Sequence, residues 1–377
     1  MLRRSSLPSV DPFLIWLVAV VALASALPAR GPAAGWFGLA TDIAIALLFF
    51  LHGAKLSRAA IVDGIGNWRL HALVLGSTYG LFPLVGLAIA ALIGGLVDPR
   101  LGAGLLFLTL LPSTVQSSIA FTALARGNVA GAVCSASLSN LLGIVLTPLL
   151  VGLLMHTGGS GALSSWGSMR TLALQLLVPF VGGHLLRPVI GGWVDRHKAI
   201  LQPVDRSSIL LVVYTAFSAA VVRGIWTQVT VPQLGLLLVL SAMILAVVMG
   251  VNVVAARVVG LPRGDAIVLL FCGSKKSLVS GVPMAAALFS PDTVGMVVLP
   301  LMIFHQLQLF ACAVLAGRFS RQAAGADAAD AVPQGTEQAA RAAAARGLVI
   351  AEACMPGVVA NLALLGRHAD ILCADER

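Results

Sequence analysis

The sequence is short of charge. Of its 377 residues only 10% are Asp, Glu, Lys or Arg, against 59% that are hydrophobic, and the mean hydropathy is +0.98. Soluble domains carry about 25% charged residues; a chain this poor in charge lacks the polar surface to stay in solution. Soluble enzymes and nucleic-acid-binding domains are excluded on that ground. Glutamate is missing until Glu337, and two Tyr accompany fourteen Phe and six Trp. The short alternating segments of a β-barrel are absent too. The apolar runs are long and unbroken, which predicts an all-α integral membrane protein. Cysteine is sparse: Cys134, Cys272, Cys312, Cys354 and Cys373 include no pair with zinc-ligand spacing. No His-Glu-x-x-His, Gly-x-Ser-x-Gly or phosphate-loop pattern occurs, so no enzyme is expected.

Ten apolar runs are long enough to cross a bilayer, which takes about 20 residues: 12–28, 36–54, 70–96, 101–125, 128–155, 169–190, 207–224, 231–258, 265–289 and 293–318. Arg3, Arg4 and Ala24-Ser25-Ala26 give the first run some likeness to a cleaved leader. Asp11-Pro12 opens it as a cap, however, and the next run follows closely, which predicts a retained span. The net charge of +9 is spread as a topology signal. With the N-terminus inside, fourteen Lys and Arg fall in cytoplasmic segments, against Arg30, Arg100, Arg170 and Arg223 outside. That predicts an even number of spans and both termini cytoplasmic, in a bacterial inner (cytoplasmic) membrane. From about Ser320 the chain becomes Ala-rich and acidic. Residues 319–377 are expected to form a C-terminal cytoplasmic tail, disordered over 320–347. Residues 348–366, interrupted by Glu352, Pro356 and Asn361, read as a surface-lying segment.

Ten spans divide into five and five, and an odd number per half inverts the second half. Inverted repeats are the arrangement of many secondary transporters, whose sites lie near the midplane where corresponding helices are broken. Matching breaks occur in spans four and nine. Span four is interrupted by Pro112, Ser113, Thr114, Gln116, Ser117 and Ser118. Span nine is interrupted by Gly273, Ser274, Lys275, Lys276 and Ser277. Pro112 and Gly273 are helix breakers. The plain alternative for span four is a continuous helix whose hydroxyls bond their own backbone. For span nine it is two short segments joined by a cytoplasmic loop, which would invert everything downstream and spoil the charge bias. A central lysine costs about 2.5–3.5 kcal/mol on insertion scales, so two adjacent ones need water, a partner or a ligand.

Among the acids of the membrane region only Asp42, near the outer end of span two, lies away from a span end or loop. Two intramembrane lysines against at most one carboxylate point to an anion. Lysine, hydroxyls and half-helix N-termini suit a carboxylate, sulfate or phosphate. Span five adds Ser135, Ser137, Ser139 and Asn140, and span ten adds His305, Gln306 and Gln308. Of these, Ser135, Ser137, His305 and Gln306 are the second-rank candidates, with close helix packing as the competing role.

At these residues the chain resembles the bile acid:sodium symporter superfamily, in the branch of YfeH-type bacterial proteins and vertebrate solute carrier family 10 member 7. The likeness runs from about Asp11 to Arg321. It is carried by Ala46–Ser57 (ALLFFLHGAKLS), Leu111–Phe121 (LPSTVQSSIAF), Gly127–Ser137 (GNVAGAVCSAS), Ser208–Ser218 (SILLVVYTAFS), Phe271–Met284 (FCGSKKSLVSGVPM) and Leu299–Gln308 (LPLMIFHQLQ). It implies ten transmembrane helices in two inverted five-helix repeats with broken, crossing helices four and nine. A core of spans 3–5 and 8–10 would move against a panel of spans 1, 2, 6 and 7. It also implies two sodium ions, held by a glutamate of the ninth-span break with hydroxyls and an asparagine of spans four and five. Here Cys272 or its neighbour stands at the glutamate position and Ile119 at the asparagine, while Ser118 remains. The span-five hydroxyl positions fall near Ala132 and Ala136. A cation site that loses its carboxylate and gains ammonium groups is a poor one. The expectation is therefore that Lys275 or Lys276 takes the place of sodium, leaving Na+, H+ or no ion as the coupling partner. The expected function is secondary active transport of a small organic anion by alternating access, without a cofactor. The alternative is a regulatory or scaffolding membrane protein without flux. Solute identity and oligomeric state carry no signal in the sequence.

Overall fold

Inside a bilayer every backbone N–H and C=O must find its partner within the protein, which makes helices the form for a long apolar run. The structure is a computed structural model that describes residues 12–55, 67–92, 95–155, 166–330, 333, 335–345 and 347–374, and every regular element among them is helical. Arg3, Arg4 and Arg58, which entered the charge argument, lie outside the described residues. The elements are α1 (Pro12–Ala26), α2 (Pro32–Lys55), α3 (Trp68–Gly76), a π-helical turn (Ser77–Leu81), α4 (Phe82–Leu92), α5 (Pro99–Thr109), α6 (Gln116–Leu124) and α7 (Val129–Leu154). They continue as α8 (Trp166–Arg196), α9 (Lys198–Val222), the short α10 (Ile225–Gln228), α11 (Val231–Val259), α12 (Arg263–Gly273), α13 (Leu278–Leu288), α14 (Pro291–Asp330), α15 (Thr336–Ala345) and α16 (Met355–Ala374).

Among the described residues eight helical stretches are long and apolar enough to cross a membrane. The sequence predicted ten, and the difference has two sources. The described part of the first run, α1, has 15 residues, and the fourth run is two half-helices of 11 and 9 residues, α5 and α6. Helix α2 begins four residues before the predicted start of span two, so Asp42 sits nearer the helix middle, with its side chain exposed.

Burial is inverted relative to a soluble fold. Trp36 is 73% and Val189 82% exposed, while Lys275 and Lys276 are 0% exposed. Apolar side chains facing lipid need no cover, whereas polar ones must be enclosed. The stretch Arg263–Leu288 is 94% buried over its most apolar part, against 22–44% for the other seven. It lies against α3, α6, α7 and α11 on one half and α8 and α9 on the other. Helix α2 packs along α8 through glycines: a Cβ on Gly53 would stand 2.0 Å from the Phe180 carbonyl oxygen, and one on Gly183 2.0 Å from that of Phe50. Small residues at such crossings let backbones meet.

The chain divides into two compact units, Met1–Ala316 and Gly317–Arg377. In the second unit, residues read as disordered are helical: α14 runs on to Asp330 and Thr336–Ala345 forms α15. Alanine supplies no core, which is why the composition suggests disorder, but it is also the best helix former. Within this unit α15 packs on α16, and Arg341 pairs with Glu337 one turn earlier.

Candidate functional site

A half-helix that ends inside a membrane leaves its last carbonyls without intrahelical donors. Two such ends meet here. Helix α5 stops at Thr109 because Pro112 lacks an N–H. Helix α12 stops at Gly273, and α13 restarts behind Ser277, whose hydroxyl accepts from the Ser280 N–H at 3.1 Å. The two breaks cross. The Ser277 N–H donates to the Pro112 carbonyl at 2.9 Å, and Thr114 Oγ1 donates to the Lys276 carbonyl at 3.0 Å.

The end of α12 is capped by neutral hydroxyls. Ser118 Oγ donates to the Phe271 carbonyl at 3.3 Å, Ser113 Oγ to Cys272 at 2.5 Å, and Ser77 Oγ to Gly273 at 2.8 Å. Asn252 of α11 donates to Ser274 Oγ at 2.9 Å. Gln308 of α14 clamps the peptide of Lys276 from both sides: its Oε1 accepts the Lys276 N–H and its Nε2 donates to the Lys276 carbonyl, each at 2.8 Å. The same amide nitrogen lies 2.8 Å from His305 Nδ1.

The end of α5 is capped by an ammonium. Lys276 Nζ donates to the carbonyls of Thr109 at 2.9 Å, Leu111 at 2.7 Å and Thr78 at 2.8 Å, with the Phe82 ring centroid 4.1 Å away. Between them the Leu110 carbonyl takes Thr147 Oγ1 at 2.8 Å. All three donors of Lys276 are thereby used.

Lys275 points elsewhere. Among the described residues its Nζ has one hydroxyl partner, Ser117 Oγ at 3.2 Å, and it lies 4.1 Å and 6.0 Å from the ring centroids of Phe121 and Phe271. Ser117 is at the start of α6, where the N-cap Val115 supplies no side-chain cap. Neither lysine is in an ion pair among the described residues.

One end of the same helices is tied to a single carboxylate. Asp265, in the first turn of α12, accepts from Asn67 Nδ2 and Asn128 Nδ2, each at 2.7 Å. Those asparagines also cap α3 and α7. His71 Nδ1 lies 2.7 Å from Ser135 Oγ nearby.

Pro112, Ser113, Thr114, Ser117, Ser118, Gly273, Ser274, Lys275, Lys276 and Ser277 are thus brought together at the crossing. Gln116 is exposed at the start of α6, and Ser137 and Gln306 are half-buried; none of the three bonds across the breaks. Ser135 is engaged with His71. The residues that hold the breaks instead are Ser139, whose hydroxyl accepts the Ser113 N–H at 3.1 Å, and Gln308, together with Ser77 and Asn252. Gln308 shares a helix face with His305, three residues earlier, whereas Gln306 does not. Asn252, a lone amide in an apolar run, was the available signal for α11.

Among the described residues no carboxylate is bonded at the crossing itself. Ser118, the hydroxyl that resemblance assigns to the ion, donates to the Phe271 carbonyl; Cys272 or its neighbour stands at the glutamate position, with Cys272 Sγ 3.8 Å from the Ala132 carbonyl oxygen; and Asp265 accepts from two amides. Hard cations need oxygen acceptors free to face them.

Broken helices crossing inside a lipid-facing bundle, with buried cations at the crossing, define a membrane transporter rather than a catalyst. Comparison with known proteins agrees. The profile of the SBF-like CPA transporter family (DUF4137) matches residues 11–321, and the chain belongs to that family. A protein of Escherichia coli (strain K12) named "Putative symporter YfeH" is 56% identical over 313 residues, covering 83% of this chain and 94% of that protein. The "Sodium/bile acid cotransporter 7" of Rattus norvegicus is 28% identical over 279 residues, covering 72% of this chain and 81% of that protein.

Proposed function

We propose that this transporter moves a small organic anion by alternating access, and that its coupling does not require sodium. Lys275 carries the reading. Its ammonium is fully buried, has a single neutral hydroxyl partner at 3.2 Å, and faces the uncapped start of α6. A buried ammonium with free donors favours an anionic partner, and half-helix N-termini add partial positive charge. The anion would sit by Ser117 and the exposed Gln116, with Lys275 as its charge partner and Lys276 as the internal cation. Ten spans in two inverted repeats would form a core (spans 3–5 and 8–10) moving against a panel (spans 1, 2, 6 and 7). The loop charges support cytoplasmic termini in an inner membrane. Proton coupling or exchange would take the place of sodium.

The test is thermal unfolding of the purified protein against a panel of mono- and dicarboxylates, sulfonates and organic phosphates, in sodium, potassium or choline chloride. An anion that raises the midpoint is then followed into proteoliposomes. Saturable uptake without sodium, lost in Lys275→Gln, is expected. A sodium-specific rise that persists in Lys275→Gln and Lys276→Gln would overturn the reading.

A further inference from the structure

Among the described residues, the main-chain oxygens of Thr78, Thr109 and Leu111 have no backbone donor and meet at one point. In the π-helical turn the Phe82 N–H reaches back to the Ser77 carbonyl. The next residue, Pro83, has no N–H to offer, so the Thr78 carbonyl is left over. At the end of α5 the Ser113 N–H, which a continuing helix would give to Thr109, is turned to Ser139. Pro112 stops the helix that would have enclosed Leu111. The three oxygens surround Lys276 Nζ at 2.7–2.9 Å, under the face of Phe82. Carbonyl oxygens can replace the hydration shell of a monovalent cation, and an aromatic face adds attraction.

We infer that the carbonyls of Thr78, Thr109 and Leu111 form a small-cation site, of the size and geometry for a primary ammonium, which the side chain of residue 276 fills from within. None of these oxygens belongs to the residues that resemblance assigns to sodium, and the site does not depend on what is transported. Removing the side chain opens it to a free cation.

The experiment is thermal unfolding of Lys276→Ala in methylammonium, propylammonium, potassium and sodium chloride, with choline chloride at equal ionic strength as the bulky control. The expected result is a low midpoint in choline that rises saturably with propylammonium, by roughly 5 °C at a hundredfold excess over Kd. The wild type should be indifferent to all five salts. Lys276→Met keeps an unbranched chain one heavy atom shorter, fills most of the space and removes the ammonium with its three donors, so it should be destabilised and not rescued. A Met variant as stable as the wild type, or an Ala variant that purifies but responds to no small cation, overturns the site.

Discussion

The two breaks solve the same problem in different ways. Both α5 and α12 end in the middle of a membrane protein with carbonyls exposed to no solvent. The end of α12 is closed by Ser118, Ser113 and Ser77, each donating once. At the end of α5 Lys276, reaching across from the other break, takes two carbonyls and also satisfies Thr78, with Thr147 on the Leu110 carbonyl between them. A set of neutral donors divides the task among α6, the span-four break and the π-helical turn, so each can be lost at modest cost. One lysine concentrates three carbonyls on a single side chain, so the crossing depends heavily on it.

Substitutions can sharpen that contrast, and the largest effect should come from Lys276. Lys276→Met orphans three buried carbonyls, on the order of 1–3 kcal/mol each, and should lower the unfolding midpoint more than any single change at the α12 end. If Ser113→Ala proves equally damaging, the asymmetry is absent. Gln308→Leu comes next: the Lys276 N–H loses the side-chain amide that accepts from it, while the Lys276 carbonyl keeps Thr114. About 1–3 kcal/mol is expected, measured by denaturation in detergent. Ser113→Ala removes one neutral bond at 2.5 Å and should cost about 1 kcal/mol. Lys275→Gln should leave the midpoint nearly unchanged while abolishing its response to anions, because Lys275 makes one neutral hydrogen bond.

The smallest effect lies away from the breaks. Asp98 caps α5, accepting from the Arg100 N–H at 2.8 Å and from its guanidinium at 3.0 and 3.1 Å. The Arg100 guanidinium, more than the backbone bonds, holds this carboxyl below its ordinary value. A depressed carboxyl gives stability that is complete above the unfolded-state value and fades as pH falls through the folded-state one. Asp98→Asn should therefore lower the midpoint slightly at neutral pH and lose that difference in acid below the carboxylate range.

Much of this arrangement was legible in the sequence, and for stated reasons. Hydropathy placed the apolar runs, and Pro112, Gly273 and the paired lysines marked where two of them fail as helices. The division of labour between the lysines was not legible, because adjacent residues in a break can point to opposite sides. The π-helical turn at Ser77–Leu81 was hidden too. Pro83 forbids one hydrogen bond, but the register that leaves the Thr78 carbonyl free is set by packing. The preference for Gln308 over Gln306 is a matter of helix phase. Phase follows from which face turns inward, and an apolar helix hides that. The tail shows the reverse error: composition measures what can be buried, and α15 is a local helix that needs little burial.

The enclosed ninth run also has a consequence for how the protein is made. With two lysines at its centre it is the segment least suited to entering lipid by itself. The oxygens that receive those lysines belong to Thr78, Thr109, Leu111 and Ser117, all of which precede them in the chain. Gln308 alone among their side-chain partners comes later. As synthesis runs from the N-terminus, the first half is complete before Lys275 and Lys276 leave the ribosome. It can serve as the template into which the ninth run is threaded.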